Sequence, residues 1–233
     1  MKPLVDLHCH TISSGHAFST LKENIDEAKL KGLKVLGISD HAVSMPGTAH
    51  EFYFSNLGVI KREINGVRIL KGIEANIMDY EGNIDVSKDL CEKLDYVIAS
   101  LHPPCIKPSS LEDNTRAVIK AIENPYVKII GHPDDSRYPL DYKKVVQVAK
   151  ENNVLIELNN SSLKPQSFRQ NAKENYITIL NLCKEQGVKI ILSSDAHIYY
   201  EVGEFYYALS LLEEVNFPES LVANYYPEWD VFQ

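Results

Sequence analysis

The chain has 233 residues, of which 44% are hydrophobic and 24% are charged, and its formal net charge is −8. This composition is ordinary for a soluble globular protein, and the negative charge disfavours extended contact with nucleic acid. The sequence contains no apolar run long enough to cross a bilayer and no signal-peptide core, so we expect a cytoplasmic protein without a membrane partner. Its four cysteines are scattered, which predicts reduced thiols rather than a disulfide framework.

Short apolar segments alternate with helical segments along the chain. The predicted strands are residues 3–7, 34–39, 67–73, 96–100, 127–131, 154–158 and 188–192. The predicted helices are residues 21–32, 57–64, 87–94, 111–122, 142–151, 175–185 and 205–215. Strands that are apolar on both faces and alternate with helices indicate a parallel sheet covered on both sides. Seven such units predict an α/β fold, a TIM-like barrel smaller than the (β/α)8 type, with an open doubly wound sheet as the alternative.

The first predicted strand ends in two histidines, His8 and His10. Side chains two apart on a strand leave by the same face, so the two imidazoles point together. Two imidazoles on one face can bind a single divalent ion. The alternative is that both are hydrogen-bonded polar residues at a strand end.

Ionisable residues follow six of the seven predicted strands. They are His8 and His10 after the first strand, His41 after the second, Glu74 after the third, His102 after the fourth, His132 after the fifth, and Asp195 with His197 after the seventh. The carboxyl ends of parallel strands in a barrel meet at one rim, which His16 on the first loop can also reach. So many imidazoles and two carboxylates would crowd and charge one another without cations. Imidazole with carboxylate favours zinc, manganese or iron, and nine ligands suffice for two or three ions.

These motifs resemble those of the polymerase and histidinol phosphatase (PHP) family. The matching residues are His8-x-His10, His16, Asp40-His41, Gly72-x-Glu74, His102, Gly131-His132-Pro133 and Asp195-x-His197. The segments Leu158-Asn159-Asn160-Ser161-Ser162 and Gly203-Glu204-Phe205 further resemble the stand-alone, YcdX-like phosphatase branch. The resemblance extends over almost the whole chain, so we expect residues 1–233 to form a single PHP domain.

The resemblance implies a distorted seven-stranded (β/α)7 barrel with a trinuclear metal centre, often zinc. The implied ligand sets are His8, His10, Glu74 and Asp195 for one ion, Glu74, His102 and His132 for a second, and His16, His41 and His197 for a third. We expect a metal-dependent phosphomonoesterase that acts on a small phosphorylated metabolite through attack of a metal-bound hydroxide on phosphorus. Glu74, as the bridge between two ions, and Asp195, as a ligand near the nucleophile, are the candidate catalytic residues.

Three further residues, Arg169, Arg137 and His50, are candidates for contact with the substrate. Arg169 and Arg137 follow predicted strands and could each contact a phosphate, although surface arginines are common. His50, on a loop with proline and glycine, could contact the substrate or protonate the leaving group. The alternatives for function are a phosphodiesterase or exonuclease with the same centre, a histidinol phosphatase, an amidohydrolase, and a structural, metal-stabilised PHP module. A homo-oligomer is compatible with the sequence.

Overall fold

A computed structural model describes residues 1–226, whose strands form one sheet that curves into a nearly closed barrel. Seven parallel strands pair in chain order, and they are β1 (Val5–Asp6), β2 (Val35–Ile38), β4 (Val67–Asn76), β5 (Tyr96–Ser100), β6 (Val127–Ile130), β7 (Leu155–Asn159) and β8 (Ile190–Ser193). A short strand, β3 (Glu63–Ile64), pairs antiparallel with β4. A parallel bridge between Cys9 and Ala196 joins the two ends of the sheet. The predicted distorted (β/α)7, TIM-like barrel is therefore confirmed.

Helices alternate with the strands. They are α1 (Leu21–Leu30), α2 (Glu51–Ser55), α3 (Lys88–Cys91), α4 (Leu111–Ile122), α5 (Tyr142–Glu151), α6 (Ala172–Gln186) and α7 (Tyr206–Glu214). The first begins with a capping box, because Thr20 and Glu23 each accept a hydrogen bond from the backbone of the other. Gly187 ends α6 in the left-handed conformation that glycine adopts at low cost. Within the described residues, none of the helices has the length and apolarity needed to cross a membrane.

The predicted helix over residues 57–64 is wrong. The structure has a 3₁₀ turn over Leu57–Val59 and then strand β3. Asn65 and Gly66, with φ of 56° and 82°, connect β3 to β4 as a two-residue hairpin turn. Asn-Gly is strongly preferred in such turns because both positions need positive φ. This local turn chemistry outweighs the helical spacing of the apolar residues before it.

The barrel interior is packed below the carboxyl ends of its strands. Tyr96 is fully buried there, and its hydroxyl donates a hydrogen bond of 2.6 Å to the Leu7 carbonyl. Gly37 and Gly72 make room for this ring, since a Cβ at either position would lie about 2.1–2.2 Å from Tyr96 atoms. This tightly packed layer holds the strands whose ends carry the polar residues described next.

Candidate metal centre

The fully buried carboxylate of Glu74, near the end of β4, lies at the middle of a histidine cluster. Five ring nitrogens lie within 3.5 Å of one of its oxygens, and they belong to His8 (3.2 Å), His10 (3.5 Å), His41 (2.7 Å), His102 (3.2 Å) and His132 (2.9 Å). Burial opposes a charge on Glu74, but the histidines outweigh it and hold the pKa of Glu74 well below its usual range. The site therefore has a fixed negative charge at its centre.

Asp195 supplies a second carboxylate to the cluster from the end of β8. Its Oδ1 lies 3.2 Å from His10 Nε2, 3.6 Å from His8 Nε2 and 3.6 Å from His197 Nδ1. Burial raises the pKa of Asp195, but the neighbouring histidines lower it by more. The pKa of Asp195 is therefore well below its usual range. Its backbone has a φ of 52°, a conformation that non-glycine residues adopt mainly where the surrounding structure enforces it.

The remaining predicted ligands complete one continuous cluster. The His16 ring stacks against His41 and His197, with centroid distances of 4.9 and 4.8 Å. Three groups have ligand atoms within 4.8 Å of one another, and they are His10 with His41 and His197, His8 with His10 and Glu74, and His41 with Glu74 and His102. The structure thus brings together all nine residues that the sequence nominates. The groups overlap rather than separate into three sets, because His10, His41 and Glu74 each belong to two.

Most of these imidazoles have a hydrogen-bond acceptor at the nitrogen that faces away from Glu74. The acceptors at Nδ1 are Glu157 Oε1 for His8 (2.6 Å), Ser14 Oγ for His10 (3.0 Å), Asn76 Oδ1 for His102 (2.7 Å) and the Asp195 carbonyl for His197 (3.0 Å). An acceptor at Nδ1 fixes the proton there and leaves the Nε2 lone pair free. The rings are therefore oriented as metal-ligating histidines are.

Asp40 supports His10 through Ser14. The Ser14 hydroxyl donates to Asp40 Oδ1 at 2.6 Å, so it is free to accept the proton of His10 Nδ1. The Thr11 hydroxyl and the Tyr53 hydroxyl both donate to Asp40 Oδ2 at 2.8 Å. This network links the first loop of the barrel to α2.

Burial keeps several of the rings neutral. Burial first, and then the neighbouring rings of His197 and His41, hold the pKa of His10 well below its usual range. Burial likewise lowers the pKa of His102 to about 4. Only neutral imidazoles bind metal ions, so these side chains are in the ligating form at neutral pH.

Four buried polar atoms in the cluster lie close to one another but make no hydrogen bond within the described part of the chain: His8 Nε2, His10 Nε2, His41 Nδ1 and Glu74 Oε2. Unsatisfied buried polar groups are rare in native proteins, and several side by side indicate a site for a cation. All four atoms are lone-pair donors, and imidazole with carboxylate suits zinc, manganese or iron. The residues present therefore fit divalent metal ions.

A cavity of about 700 Å³ opens above the cluster. Its outer wall includes the apolar side chains of Met45, Pro46 and Phe168. Arg169 also lines it, with its guanidinium 3.7 Å from Asp195 Oδ2 and stacked on the Phe168 ring at 5.4 Å. The Arg169 side chain is only 10% exposed, so it is held in place beside the cluster.

The other two candidate substrate residues lie elsewhere. Arg137 binds Asp135 through Nε at 2.8 Å and stacks on Phe168 at 5.1 Å. His50 caps α2 by accepting a hydrogen bond from the Phe52 N–H at 3.1 Å. Among residues 1–226, neither is part of the cavity wall. Their roles in substrate binding stay predictions.

Glu157 is the residue at the site that the sequence did not suggest. It lies within β7, is fully buried, and contacts the ring of His8 and the backbone of His132. The only signal in the sequence is an acidic residue inside the predicted strand 154–158, whose other residues are all apolar. Glu157 lies before the end of its predicted strand, whereas the predicted ligands follow the ends of theirs.

A TIM-like barrel with clustered histidines and carboxylates at the ends of its strands is an α/β barrel whose side chains could hold metal ions. Residues 6–163 match the PHP domain family, which is more than half of the chain. The chain therefore belongs to the PHP domain family.

Relatives in this family are similar over nearly their whole length. A protein named "Probable phosphatase" from Thermoanaerobacter sp. (strain X514) is 51% identical over 225 residues, covering 96% of this chain and 91% of the relative. Another "Probable phosphatase", from Clostridium novyi (strain NT), is 46% identical over 224 residues, with coverage of 96% and 91%.

A solved structure has the same fold. It is the histidinol phosphate phosphatase from Lactococcus lactis subsp. lactis Il1403, complexed with zinc, L-histidinol and phosphate. The TM-score is 0.63, and the match covers 94% of this chain and 95% of that one. Because the sequences are only 15% identical, this likeness shows the barrel fold alone.

Proposed function

We propose that this PHP-family phosphatase hydrolyses phosphomonoesters of small metabolites, with divalent metal ions held by the histidine and carboxylate cluster. The observation that carries the proposal is the set of partnerless nitrogens of His8, His10 and His41 around the buried carboxylate of Glu74. The relatives named "Probable phosphatase" support the reaction class. Zinc is the first choice of metal, supported by the zinc-bound Lactococcus protein, with manganese or iron as alternatives.

We assign the nine ligands to three ions. The proposed sets are His8, His10, Glu74 and Asp195 for the first ion, Glu74, His102 and His132 for the second, and His16, His41 and His197 for the third. When bound, such ions supply a water nucleophile of lowered pKa and positive charge for the phosphate oxygens. Glu74 is suited to bridge two ions, because its two oxygens face different histidines.

Arg169 is the residue proposed to bind the phosphate. Its nearest carboxylate oxygen, on Asp195, is 3.7 Å away, which is longer than a hydrogen bond. The planar guanidinium therefore keeps donors that can bind two phosphate oxygens at once. Stacking on Phe168 fixes the plane of the group before the substrate arrives.

The volume of the cavity and the net charge of the chain favour a small substrate. A cavity of about 700 Å³ lies within the usual range for small-molecule sites. The net charge of −8 repels a long polyanion, so a monoester is a better fit than nucleic acid. Histidinol phosphate is one specific substrate to test, since the Lactococcus structure contains L-histidinol and phosphate.

The test is a substrate panel with the zinc-loaded protein, run with and without a chelator. We expect turnover of p-nitrophenyl phosphate to exceed that of bis(p-nitrophenyl) phosphate and single-stranded DNA, and to stop with the chelator. Asp195→Asn should abolish turnover. The matched control is Asp95→Asn, a carboxylate at the start of β5 that accepts from the Lys71 N–H at 2.7 Å, away from the site. Preference for the diester or DNA, or no turnover by a metal-replete protein, would overturn the proposal.

A further inference from the structure

Strand β7 supplies none of the nine proposed metal ligands, yet two of its side chains contact ligands from other strands. Glu157 and Asn159 are two residues apart, so they share one face of β7, and both are fully buried. Asn159 Nδ2 donates to Asp195 Oδ2 at 3.0 Å and lies 3.2 Å from Glu157 Oε2. The strand without a ligand thus holds ligands that other strands supply.

Each oxygen of Glu157 accepts a hydrogen bond from a different proposed ligand residue. Oε1 lies 2.6 Å from His8 Nδ1, and Oε2 accepts from the His132 backbone N–H at 2.6 Å. The acceptor at Nδ1 keeps a proton on that atom, so Nε2, which lies 3.2 Å from Glu74 Oε2, is the nitrogen that a metal ion would bind. The first contact therefore selects the tautomer that can bind a metal ion.

The second contact acts on a strained backbone. His132 has a φ of 29°, in the left-handed region that residues with a side chain rarely adopt. The hydrogen bond from its N–H to Glu157 stabilises this conformation, in which the ring places Nε2 at 2.9 Å from Glu74. Strained residues of this kind persist where surrounding contacts enforce them.

Both contacts require a carboxylate. An amide at position 157 would turn one of the two acceptor oxygens into a donor. If the amide nitrogen faced His8, the proton of His8 would move to Nε2 and block the metal-binding lone pair. If it faced His132, two N–H groups would oppose each other in a buried site, where an unmade hydrogen bond is costly.

We propose that Glu157 is a positioning residue for the metal centre, which holds His8 in the Nδ1–H tautomer and His132 in its left-handed conformation. This inference rests on the proposed function, because it takes His8 and His132 to be metal ligands. It goes beyond that function in assigning a role to a strand that carries no ligand.

The test compares the zinc affinity of Glu157→Gln with that of the wild-type protein by competition calorimetry. We expect binding to weaken by about 10–100-fold, the usual effect of removing a partner of a ligating histidine. The charge-matched control is Asp95→Asn, a carboxylate just before β5 that accepts a hydrogen bond from the Lys71 N–H at 2.7 Å, away from the cluster. It should leave zinc affinity unchanged. Thermal melting of both variants in chelator checks that each is folded.

A spectroscopic measurement on the wild-type protein provides a second arm that needs no variant. In the zinc-loaded protein, the His8 ring should show a slowly exchanging Nδ1–H resonance in ¹⁵N–¹H spectra. A proton on Nε2 of His8 would overturn the inference, as would unchanged zinc affinity in Glu157→Gln or an equal loss in Asp95→Asn. If the wild-type protein bound no zinc, manganese or iron, the proposed function and this inference would both fail. If the wild type bound metal and Glu157→Gln bound it equally well, this inference alone would fail.

Discussion

Replacing Glu74 with glutamine perturbs the proposed centre most directly. The substitution preserves the shape of the side chain but removes the charge that lies within 3.5 Å of five imidazole nitrogens. It also places an amide N–H group against some of those nitrogens. Because Glu74 faces histidines on both of its oxygens, two proposed ions would lose a ligand at once.

The size of the effect follows from the role of the ions. A metal ion contributes several kcal/mol to stabilising transition-state charge. A loss of about 4 kcal/mol corresponds to about a 10³-fold decrease in kcat/KM, since each factor of ten equals about 1.36 kcal/mol. His16 contacts the rings of His41 and His197 at the edge of the cluster. We therefore expect His16→Asn to cost less, about 10–100-fold, like other single substitutions around a metal site.

The assay is kcat/KM for p-nitrophenyl phosphate at saturating zinc, combined with elemental analysis of each variant. Glu74→Gln should lose both activity and bound metal, and His16→Asn should keep more of each. The reasoning would be refuted if Glu74→Gln retained the full metal content and activity within about tenfold of wild type, or if His16→Asn were the more damaging change.

Three further predictions concern the phosphate contact, a buried charge and the barrel interior. Arg169→Lys should lower kcat/KM by about 10–100-fold, because lysine cannot bind two phosphate oxygens in a fork. Burial raises the pKa of Asp134 to about 6, against 3.8 for an unperturbed carboxyl. Ionised Asp134 thus costs about 3 kcal/mol near neutral pH, and Asp134→Asn should raise the free energy of unfolding of the metal-free protein there. Gly72→Ala should destabilise by about 1–3 kcal/mol or more, because its Cβ would lie 2.2 Å from the Tyr96 ring, whereas Gly58→Ala meets nothing within 4 Å.

Each of these predictions has its own check. Arg116→Lys, on α4 beside Asp113, is the control for Arg169, and equal losses in both would argue against a phosphate contact. For Asp134, the stability advantage of Asp134→Asn over the wild-type protein should grow as the pH rises from about 4 to about 6, because the folded wild type binds an extra proton at Asp134 that the variant does not; this difference is measured against pH. A flat profile would contradict the prediction. Urea unfolding measures the glycine variants, and equal stabilities for Gly72→Ala and Gly58→Ala would contradict the packing argument.

The arrangement of the barrel and its cluster could be predicted because both follow from simple periodicities. Strand segments that are apolar on both faces place their carboxyl ends at one rim, so His102, His132 and Asp195 could be expected to meet. The structure has helices α4 and α5 at the predicted bounds, since each has a clear cap and an amphipathic pattern. The hairpin turn at Asn65-Gly66 is not evident from periodicity, because the spacing of nearby apolar residues favours a helix there.

Other features depend on contacts that the sequence does not display. Arg137 and Arg169 each follow a predicted strand, so the sequence does not distinguish them. In the structure, Arg137 binds Asp135, whereas Arg169 lines the cavity. Glu157 reaches His8 across 149 positions of sequence, so only the closed barrel brings them together. Pairings of this kind are set by strand register, which the pattern of apolar residues does not specify for a buried polar side chain.

The central claim is that the cluster around Glu74 binds divalent metal ions. Native mass spectrometry of the purified protein, combined with elemental analysis after zinc reconstitution, measures this directly. We predict three bound ions per chain, removal of these ions and of phosphatase activity by a chelator, and recovery of both on adding zinc or manganese. A folded protein that binds no divalent ion under these conditions, or that remains fully active without one, would contradict it.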